Sequence, residues 1–195
     1  MSKAERTRSF IIEKTAPIFN KKGFAGTSLN DMTEATGLTK GSIYGNFSNK
    51  DEVAIAVFDY NLQKLNACVA AQFSKQKTAK DKLMVYVNNY EEIFNSSCDD
   101  GGCPILNTAI DADDTHPQLR NQVAKAVLSW KARLTQILEQ GKANGEFNAN
   151  INAEQIALTM ISMIEGSIMI SKLLGSSAYI ATVMQSLKKL INDLT

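Results

Sequence analysis

The sequence predicts an all-α protein of about nine helices, and three observations support this fold class. Proline is rare in the 195 residues and occurs only as Pro17, Pro104 and Pro117. Apolar residues recur mostly at helical spacing, and no stretch alternates apolar and polar residues as a half-buried strand would. With 44% hydrophobic residues, the chain is long enough for a small N-terminal domain and a larger helical body with its own core.

The first predicted helix runs from about Lys3 to Lys22 and places Ile11 and Phe19 on its inner face. Pro17 lies inside it. Because an interior proline removes one backbone hydrogen bond and its ring clashes with the preceding turn, we expect the helix to bend there.

Residues 27–50 contain two short capped helices around a glycine turn. Thr27 or Ser28 can cap the first helix, Ser28 and Asp31 have the spacing of a capping box, and Gly37 supplies a left-handed residue that ends the helix. Thr39 caps the second helix, whose surface carries hydroxyls, amides and a cation. Such groups suit the major groove of DNA, so the segment predicts a helix-turn-helix DNA reader.

The later helices are predicted from caps and breakers. Helix 4 starts at Asn49 with two acidic residues in its first turn and continues to about Phe73. Four of the remaining five helices follow a capping residue or an early proline, and glycine ends two of them. The five predicted helices are helix 5 from Thr78 to about Asn95, helix 6 from Pro104 to about Ala112, helix 7 from Thr115 to about Asn144, helix 8 from Asn152 to Gly175, and helix 9 from Ala178 to Leu194.

The formal net charge of +1 conceals an asymmetry. Residues 1–50 hold eight basic and four acidic residues, a balance of +4, whereas the remainder holds 13 basic and 16 acidic residues, a balance of −3. A positive N-terminus would gain DNA affinity through counterion release. The plain alternative is a solvated charged face.

Residues 8–58 resemble the N-terminal domain of the TetR (tetracycline-repressor-like) regulators. The family pattern, which ends in Gly-x-x-x-Gly-x-x-Tyr-x-x-Phe-x-x-Lys, is matched by Ile11, Ile12, Phe19, Gly23, Phe24, Thr27, Gly37, Gly41, Tyr44, Phe47 and Lys50. The resemblance implies a three-helix DNA-binding domain at residues 1–50, a connecting helix 4 at 50–73, and an effector-binding and dimerisation domain at 74–195. It also implies a homodimeric repressor that leaves a palindromic operator when a small molecule binds.

Within the helix-turn-helix segment we distinguish two kinds of DNA contact. Hydroxyls and a lysine should hold phosphates, whereas the exposed polar side chains of the second helix should meet base edges, with a glycine permitting close approach. The expected phosphate contacts are Thr27, Thr39, Tyr44 and Lys50, the base contacts are Lys40, Ser42 and Asn46, and the glycine is Gly41.

Helices 8 and 9 carry more apolar residues than one amphipathic stripe each would need. Buried core within one chain is one explanation. The family resemblance implies instead a two-fold, four-helix dimer interface, to which we assign Ile164, Ile168, Leu187 and Ile191.

Aromatic residues recur along one face of helix 5. Such a stripe is often plain core, but it could also line an apolar effector pocket with a few polar anchors, and methionines suit an adaptable pocket. We predict a pocket lined by Tyr86, Tyr90, Phe94, Leu106, Asn107, Trp130, Met160, Met163 and Glu165.

The three cysteines, Cys68, Cys98 and Cys103, form no disulfide framework, which fits a reducing compartment. No secretory signal opens the chain and no membrane partner is indicated, so we expect a cytoplasmic protein. Cys103 precedes helix 6, where a helix N-terminus favours the thiolate. It is therefore either a packing residue or the switch of a redox- or electrophile-sensing repressor.

The sequence offers little for catalysis. His116 is the single histidine, and no nucleophile stands near it at a recognisable spacing. No zinc-binding pattern or glycine-rich phosphate loop is present. We therefore expect no enzyme, no cofactor and no metal, and a helical enzyme remains only a third alternative.

Overall fold

The computed structural model describes the backbone of residues 1–96 and 101–195, and the side chains of residues 1–88 and 101–195. These residues form nine helices and no strand, which confirms the predicted fold class. The helices are α1 (Lys3–Gly26), α2 (Leu29–Thr36), α3 (Lys40–Tyr44), α4 (Lys50–Phe73), α5 (Ala79–Ser96), α6 (Pro104–Ala112), α7 (Pro117–Ala143), α8 (Ala153–Leu174) and α9 (Ala178–Asn192).

Local capping determines where α2 begins and ends. Ser28 Oγ accepts a hydrogen bond from the Asp31 amide at 3.1 Å, and the Asp31 carboxylate accepts one from the Ser28 amide at 2.7 Å. Gly37 ends the helix with a left-handed φ of 68°. The capping box and the glycine turn read from the sequence are therefore both present.

The break in α1 lies at Gly23 rather than at Pro17. Gly23 has φ 73° and ψ 179°, whereas Pro17 lies within the helix. A side chain at residue 23 would be strained by this φ, and its Cβ would also lie 3.0 Å from the carboxyl carbon of Asp111. The expectation of a bend at the proline thus missed the residue at which the helix departs from its geometry.

The helices group into two compact units. The first contains Met1–Leu65, α6 and the start of α7 as far as Lys125, and the second contains the chain from Asn66 through α5 together with Ala126–Thr195. This division differs from the predicted boundaries at residues 50 and 74. The reason is that α6 packs on α1, and Asn107 Nδ2 donates a hydrogen bond to the main-chain carbonyl of Asn20 at 3.0 Å.

The core of the first unit fixes the helix-turn-helix. Ile11, Met32, Ile43 and Val53, one from each of α1 to α4, are fully buried. Complete burial of each such side chain contributes about 1.5–3 kcal/mol. Because α3 spans only five residues, its position depends on this packing rather than on its own hydrogen bonds.

The core of the second unit is dominated by α8 packed on α9. By length and composition alone α8 is apolar enough to cross a membrane. However, eight of its 22 residues are buried within the protein, among them Met160 and Ile164. Burial in the core therefore accounts for part of the hydropathy of α8.

Candidate nucleic-acid interface

The recognition helix α3 is anchored on one side and exposed on the other. Ile43 is fully buried, whereas Lys40 and Gly41 are exposed and Tyr44 is half-buried. Thr39 Oγ1 accepts a hydrogen bond from the Ser42 amide at 3.2 Å and so caps the helix. Within the described part of the chain Lys40 has no ion-pair partner, and its charge is available to an external anion.

No contact with a described residue of the chain requires a glycine at position 41. A Cβ added there would meet only Thr39 Oγ1, at 4.0 Å, and its backbone is not left-handed. Glycine inside a helix costs about 0.5–1 kcal/mol relative to alanine. The predicted close approach of DNA at Gly41 stays a prediction.

Asn46 uses its amide within the chain. Its side-chain Nδ2 donates to the Ser42 carbonyl at 2.9 Å, and its main-chain carbonyl accepts from Arg8 Nη1 at 2.6 Å. The side-chain amide of Asn46 thus satisfies a carbonyl in the last turn of α3. Its predicted base contact requires the side chain to leave that hydrogen bond, so the structure gives the contact no support.

Thr27 was wrongly assigned to the phosphate contacts. Its side chain is completely buried, and its hydroxyl donates to the Gly23 carbonyl at 2.6 Å. The hydroxyl thus satisfies the last turn of α1 after the kink, and a phosphate cannot reach it. Ser28, the next residue, is exposed but serves as the cap of α2.

Lys50, the first residue of α4, is held by an aromatic ring. Its Nζ lies 4.3 Å from the centroid of the Phe24 ring, and the Phe24 ring meets the His116 ring edge-on at 4.4 Å. A cation over an aromatic face is stabilised by the ring quadrupole. Lys50 thus has a defined position while its predicted phosphate contact stays a prediction.

Two ion pairs tie the helices of the first unit together. Lys22 Nζ lies 2.5 Å from Asp31 Oδ1, and Arg8 Nη2 lies 2.7 Å from Glu52 Oε1. The hydrogen bond from Lys22, followed by those from Ser28, holds the pKa of the Asp31 carboxyl well below its usual value. The Ser48 amide, followed by Arg8, lowers the pKa of Glu52.

Part of the predicted effector pocket comes together in the second unit. The Tyr86 ring stacks on the Trp130 ring with centroids 6.2 Å apart and meets the Phe73 ring edge-on at 5.3 Å. Met160 is fully buried. Met163 and Glu165 are half-buried. The side chains of Tyr90 and Phe94 lie outside the described residues.

Leu106 and Asn107 belong to the first unit rather than the second. Asn107 Nδ2 donates to the Gly101 carbonyl at 2.7 Å and to Asn20 Oδ1 at 3.1 Å. Its side-chain amide therefore joins α6 to α1, and the structure gives its predicted role as a polar anchor of the pocket no support. Leu106 is half-buried, and its role in a pocket stays a prediction.

The four residues assigned to the dimer interface lie inside the chain. Ile164, Leu187 and Ile191 are 0% exposed and Ile168 is 1% exposed, because α8 and α9 pack on each other. Side chains without exposed surface cannot contact a second copy, so this assignment was wrong. The exposed apolar residues of α8 are Leu158, Met169, Ile170, Leu173 and Leu174.

The thiol and the histidine have structural surroundings. Cys103 is buried and takes the cap position of α6 without a side-chain capping bond, whereas Cys98 lies outside the described residues. His116 is buried, and its Nδ1 accepts from the Leu119 amide at 3.2 Å. Among the described residues no group of three His, Cys, Asp or Glu could hold a metal ion.

Comparison with known proteins matches both halves of the chain. The family described as bacterial regulatory proteins, tetR family, matches residues 11–57, and the tetracyclin repressor-like C-terminal domain matches residues 79–187. The HTH-type transcriptional regulator TtgR of Pseudomonas putida is 30% identical over 169 residues, covering 85% of this chain and 80% of that protein. The HTH-type transcriptional repressor ComR of Escherichia coli is 27% identical over 160 residues, covering 82% and 76%.

Solved structures show the same architecture. A TetR-family transcriptional regulator from Cytophaga hutchinsonii superposes with a TM-score of 0.93 at 47% identity, covering 100% of this chain and 97% of that one. The regulator CifR, solved as a cysteine mutant with a 26bp double-strand operator DNA, superposes with a TM-score of 0.84 at 15% identity, covering 93% and 94%. The second likeness concerns the fold alone.

Proposed function

The chain belongs to the TetR family of DNA-binding transcriptional regulators, and from this premise we propose that it is a homodimeric repressor released from a palindromic operator by a small-molecule effector. The exposed face of α3 carries the proposal of operator reading. Gly41 is open to the outside, Lys40 is exposed, and Ser42 is partly exposed. These groups are suited to phosphates and base edges in a major groove.

A second copy of the chain would cover the apolar face of α8. Leu158, Met169 and Leu173 are 45%, 47% and 81% exposed, and Ile170 and Leu174 lie beside them. Their spacing of 11 and 4 residues places the first three along one side of the helix. Contiguous exposed apolar residues mark interaction surfaces, and a dyad would give two recognition helices for two half-sites.

An effector site in the second unit is supported by buried polar atoms. The hydroxyl of Ser171 is buried and makes no hydrogen bond to a described residue, and the hydroxyl of Tyr86 is buried beside the Arg133 guanidinium. Burial raises the pKa of Tyr86 to about 12, although the nearby Arg133 guanidinium opposes the rise. A ligand that offers a hydrogen-bond acceptor would satisfy such a buried donor.

Within the first unit, α6 is bound firmly to α1. The Phe24 amide donates to Asp111 Oδ2 at 2.6 Å, and Asn20 Nδ2 donates to the Gly102 carbonyl at 3.0 Å. A displacement of α6 would therefore pull on the kinked end of α1. The effector must bind the released state more tightly, since equal affinity for both states shifts nothing.

The test is operator release. Random duplexes are selected with the purified chain, and a compound library is then screened for loss of the selected complex, with quenching of Trp130 fluorescence as the readout of binding in the second unit. A compound that lowers operator affinity and quenches Trp130 supports the proposal. If no compound that quenches Trp130 changes operator affinity, the effector part of the proposal is contradicted.

The thiol-sensing alternative makes a different prediction on the same scaffold. Cys103 at the start of α6 is buried, and its oxidation would disturb the helix that contacts α1. Replacement Cys103→Ser should then abolish a response to peroxide while leaving operator binding intact. Absence of any oxidant response in the parent chain would remove this alternative.

A further inference from the structure

Arg8 on α1 contacts the end of the recognition helix and the start of α4 together. Its Nη1 donates to the main-chain carbonyl of Asn46 at 2.6 Å, and its Nη2 donates to Glu52 Oε1 at 2.7 Å. The guanidinium carbon lies 3.9 Å from the centroid of the Phe47 ring. We call Arg8, Asn46, Phe47 and Glu52 the Arg8 clamp.

Glu52 extends the clamp to the loop between α3 and α4. Its second carboxylate oxygen, Oε2, accepts a hydrogen bond from the Ser48 amide at 2.7 Å, and its own amide donates to Asn49 Oδ1 at 2.9 Å. One carboxylate thus binds Arg8 with one oxygen and the loop backbone with the other. The loop that follows the recognition helix is thus hydrogen-bonded to Glu52 of α4, which in turn pairs with Arg8 of α1.

The recognition helix needs such external support. A five-residue helix has too few internal hydrogen bonds to define its own direction. Ile43 and Phe47 provide apolar anchors that are 0% and 2% exposed, but apolar contacts are not directional. The two charge-assisted hydrogen bonds of Arg8 are directional and fix the end of the segment.

We propose that Arg8 is a positioning residue for operator reading, acting through the Asn46 carbonyl and Glu52 and not as a ligand of phosphate. The inference rests on DNA binding by this chain and goes beyond the roles of α3 itself. Arg8 and Glu52 each keep only 38% of their side-chain surface exposed. The planar guanidinium serves two acceptors and a ring face at once, which the point charge of a lysine cannot reproduce.

Two substitutions separate this proposal from simple electrostatics. Arg8→Lys keeps the positive charge but loses the fork, so operator affinity should fall by at least about tenfold, the equivalent of roughly 1.4 kcal/mol. Glu52→Gln removes a negative charge near DNA, which by charge alone would strengthen binding. The clamp predicts the opposite sign, a weaker operator complex.

The readout is affinity for a selected operator and for an unrelated duplex at two salt concentrations. Both variants should lose operator affinity while their affinity for the unrelated duplex stays near that of the parent. Arg8→Gln should keep the parent's salt slope, whereas a direct phosphate contact would reduce it by about 1. Glu13→Gln, which removes an exposed acid from α1, is the matched charge control and should not weaken the operator complex.

The outcomes are distinct. Equal weakening of both duplexes by Arg8→Lys, a reduced salt slope in Arg8→Gln, or stronger operator binding by Glu52→Gln would each overturn the clamp. Thermal unfolding of each variant shows whether it is folded, and the nearly isosteric Glu52→Gln keeps the test valid if Arg8→Lys is not. A parent that selects no operator would contradict DNA reading itself, and the clamp with it.

Discussion

At the scale of single residues, a substitution at Gly41 should change operator affinity without lowering the stability of the fold. Replacement Gly41→Ala should leave thermal stability unchanged or raise it by about 0.5–1 kcal/mol, because the site is open and alanine favours helix. The added methyl group should nevertheless lower operator affinity by crowding the DNA. Calorimetry and operator titration check both parts, and an alanine variant that binds like the parent would refute close approach at α3.

The carboxylates of the first unit predict acid sensitivity. The pKa values of Asp31 and Glu52 are lowered in the fold from their usual 3.8 and 4.5. A lowered pKa contributes stability that is present above the usual value and is lost as the pH falls through the lowered value. The thermal midpoint should therefore be insensitive to these groups between pH 5 and 7 and should decline below about pH 4.

Replacement Asp31→Asn tests this source of acid sensitivity. The variant should be less stable than the parent at pH 7 and should show a shallower decline below pH 4. Parallel melting curves for parent and variant across the whole range would show that Asp31 is not involved.

Residue roles were read from the sequence only where the cause was local. The caps Ser28 and Thr39 depend on residues three positions away, and the structure confirms both. The predicted phosphate contact of Thr27 was wrong because its hydroxyl donates to the Gly23 carbonyl at a kink that the sequence pattern does not reveal. Arg8 was seen only as a charge, because its partner Glu52 lies 44 residues away.

At the scale of elements, capping governs the stability of α8. Asn152 Oδ1 accepts a hydrogen bond from the Gln155 amide at 3.0 Å and caps a helix that forms much of the second core. Replacement Asn152→Ala should cost about 1 kcal/mol, measurable by urea unfolding. Asn150→Ala, two residues earlier, is the control, and equal effects of the two substitutions would contradict the capping role.

The hydrogen bonds between α6 and α1 predict that a substitution there affects operator release by the effector but not operator binding itself. Replacement Asp111→Ala removes the acceptor of the Phe24 amide. Operator binding should persist, while an effector that still quenches Trp130 should release less operator than it does from the parent. An undiminished release would show that the coupling does not pass through this hydrogen bond.

Element boundaries were accurate from sequence, whereas the two compact units divide the chain elsewhere than at the predicted residues 50 and 74. Caps, prolines and terminal glycines predicted where the helices start and stop because those signals lie within a few residues of each end. The packing of α6 on α1 depends on Asn107 and Asp111 meeting residues 87 positions away. No periodicity encodes such a pairing, so the division into units differed from the prediction.

At the scale of the whole molecule, the apolar face of α8 predicts a dimer whose residues differ from those chosen by sequence. Large apolar side chains are exposed on α8, among them Leu158, Met169 and Leu173, but periodicity alone does not tell which stripe of a helix faces its partner helix within the chain. Met169→Glu with Leu173→Glu should yield folded monomers by sedimentation, because both sites are exposed in the single chain. A parent that sediments as a monomer at micromolar concentration would exclude this interface.

The most direct test of operator reading by α3 is the selection of duplex DNA by the parent chain, followed by titration of the enriched sequence against a scrambled one at physiological salt. Operator reading by α3 predicts a palindrome whose half-site centres are separated by about 10 base pairs or a multiple of that spacing. It also predicts a preference of at least about a thousandfold over the scrambled duplex, weakened when α3 carries Gly41→Ala. Equal affinity for both duplexes, or a preference that Gly41→Ala leaves intact, would contradict the claim that this helix reads the operator.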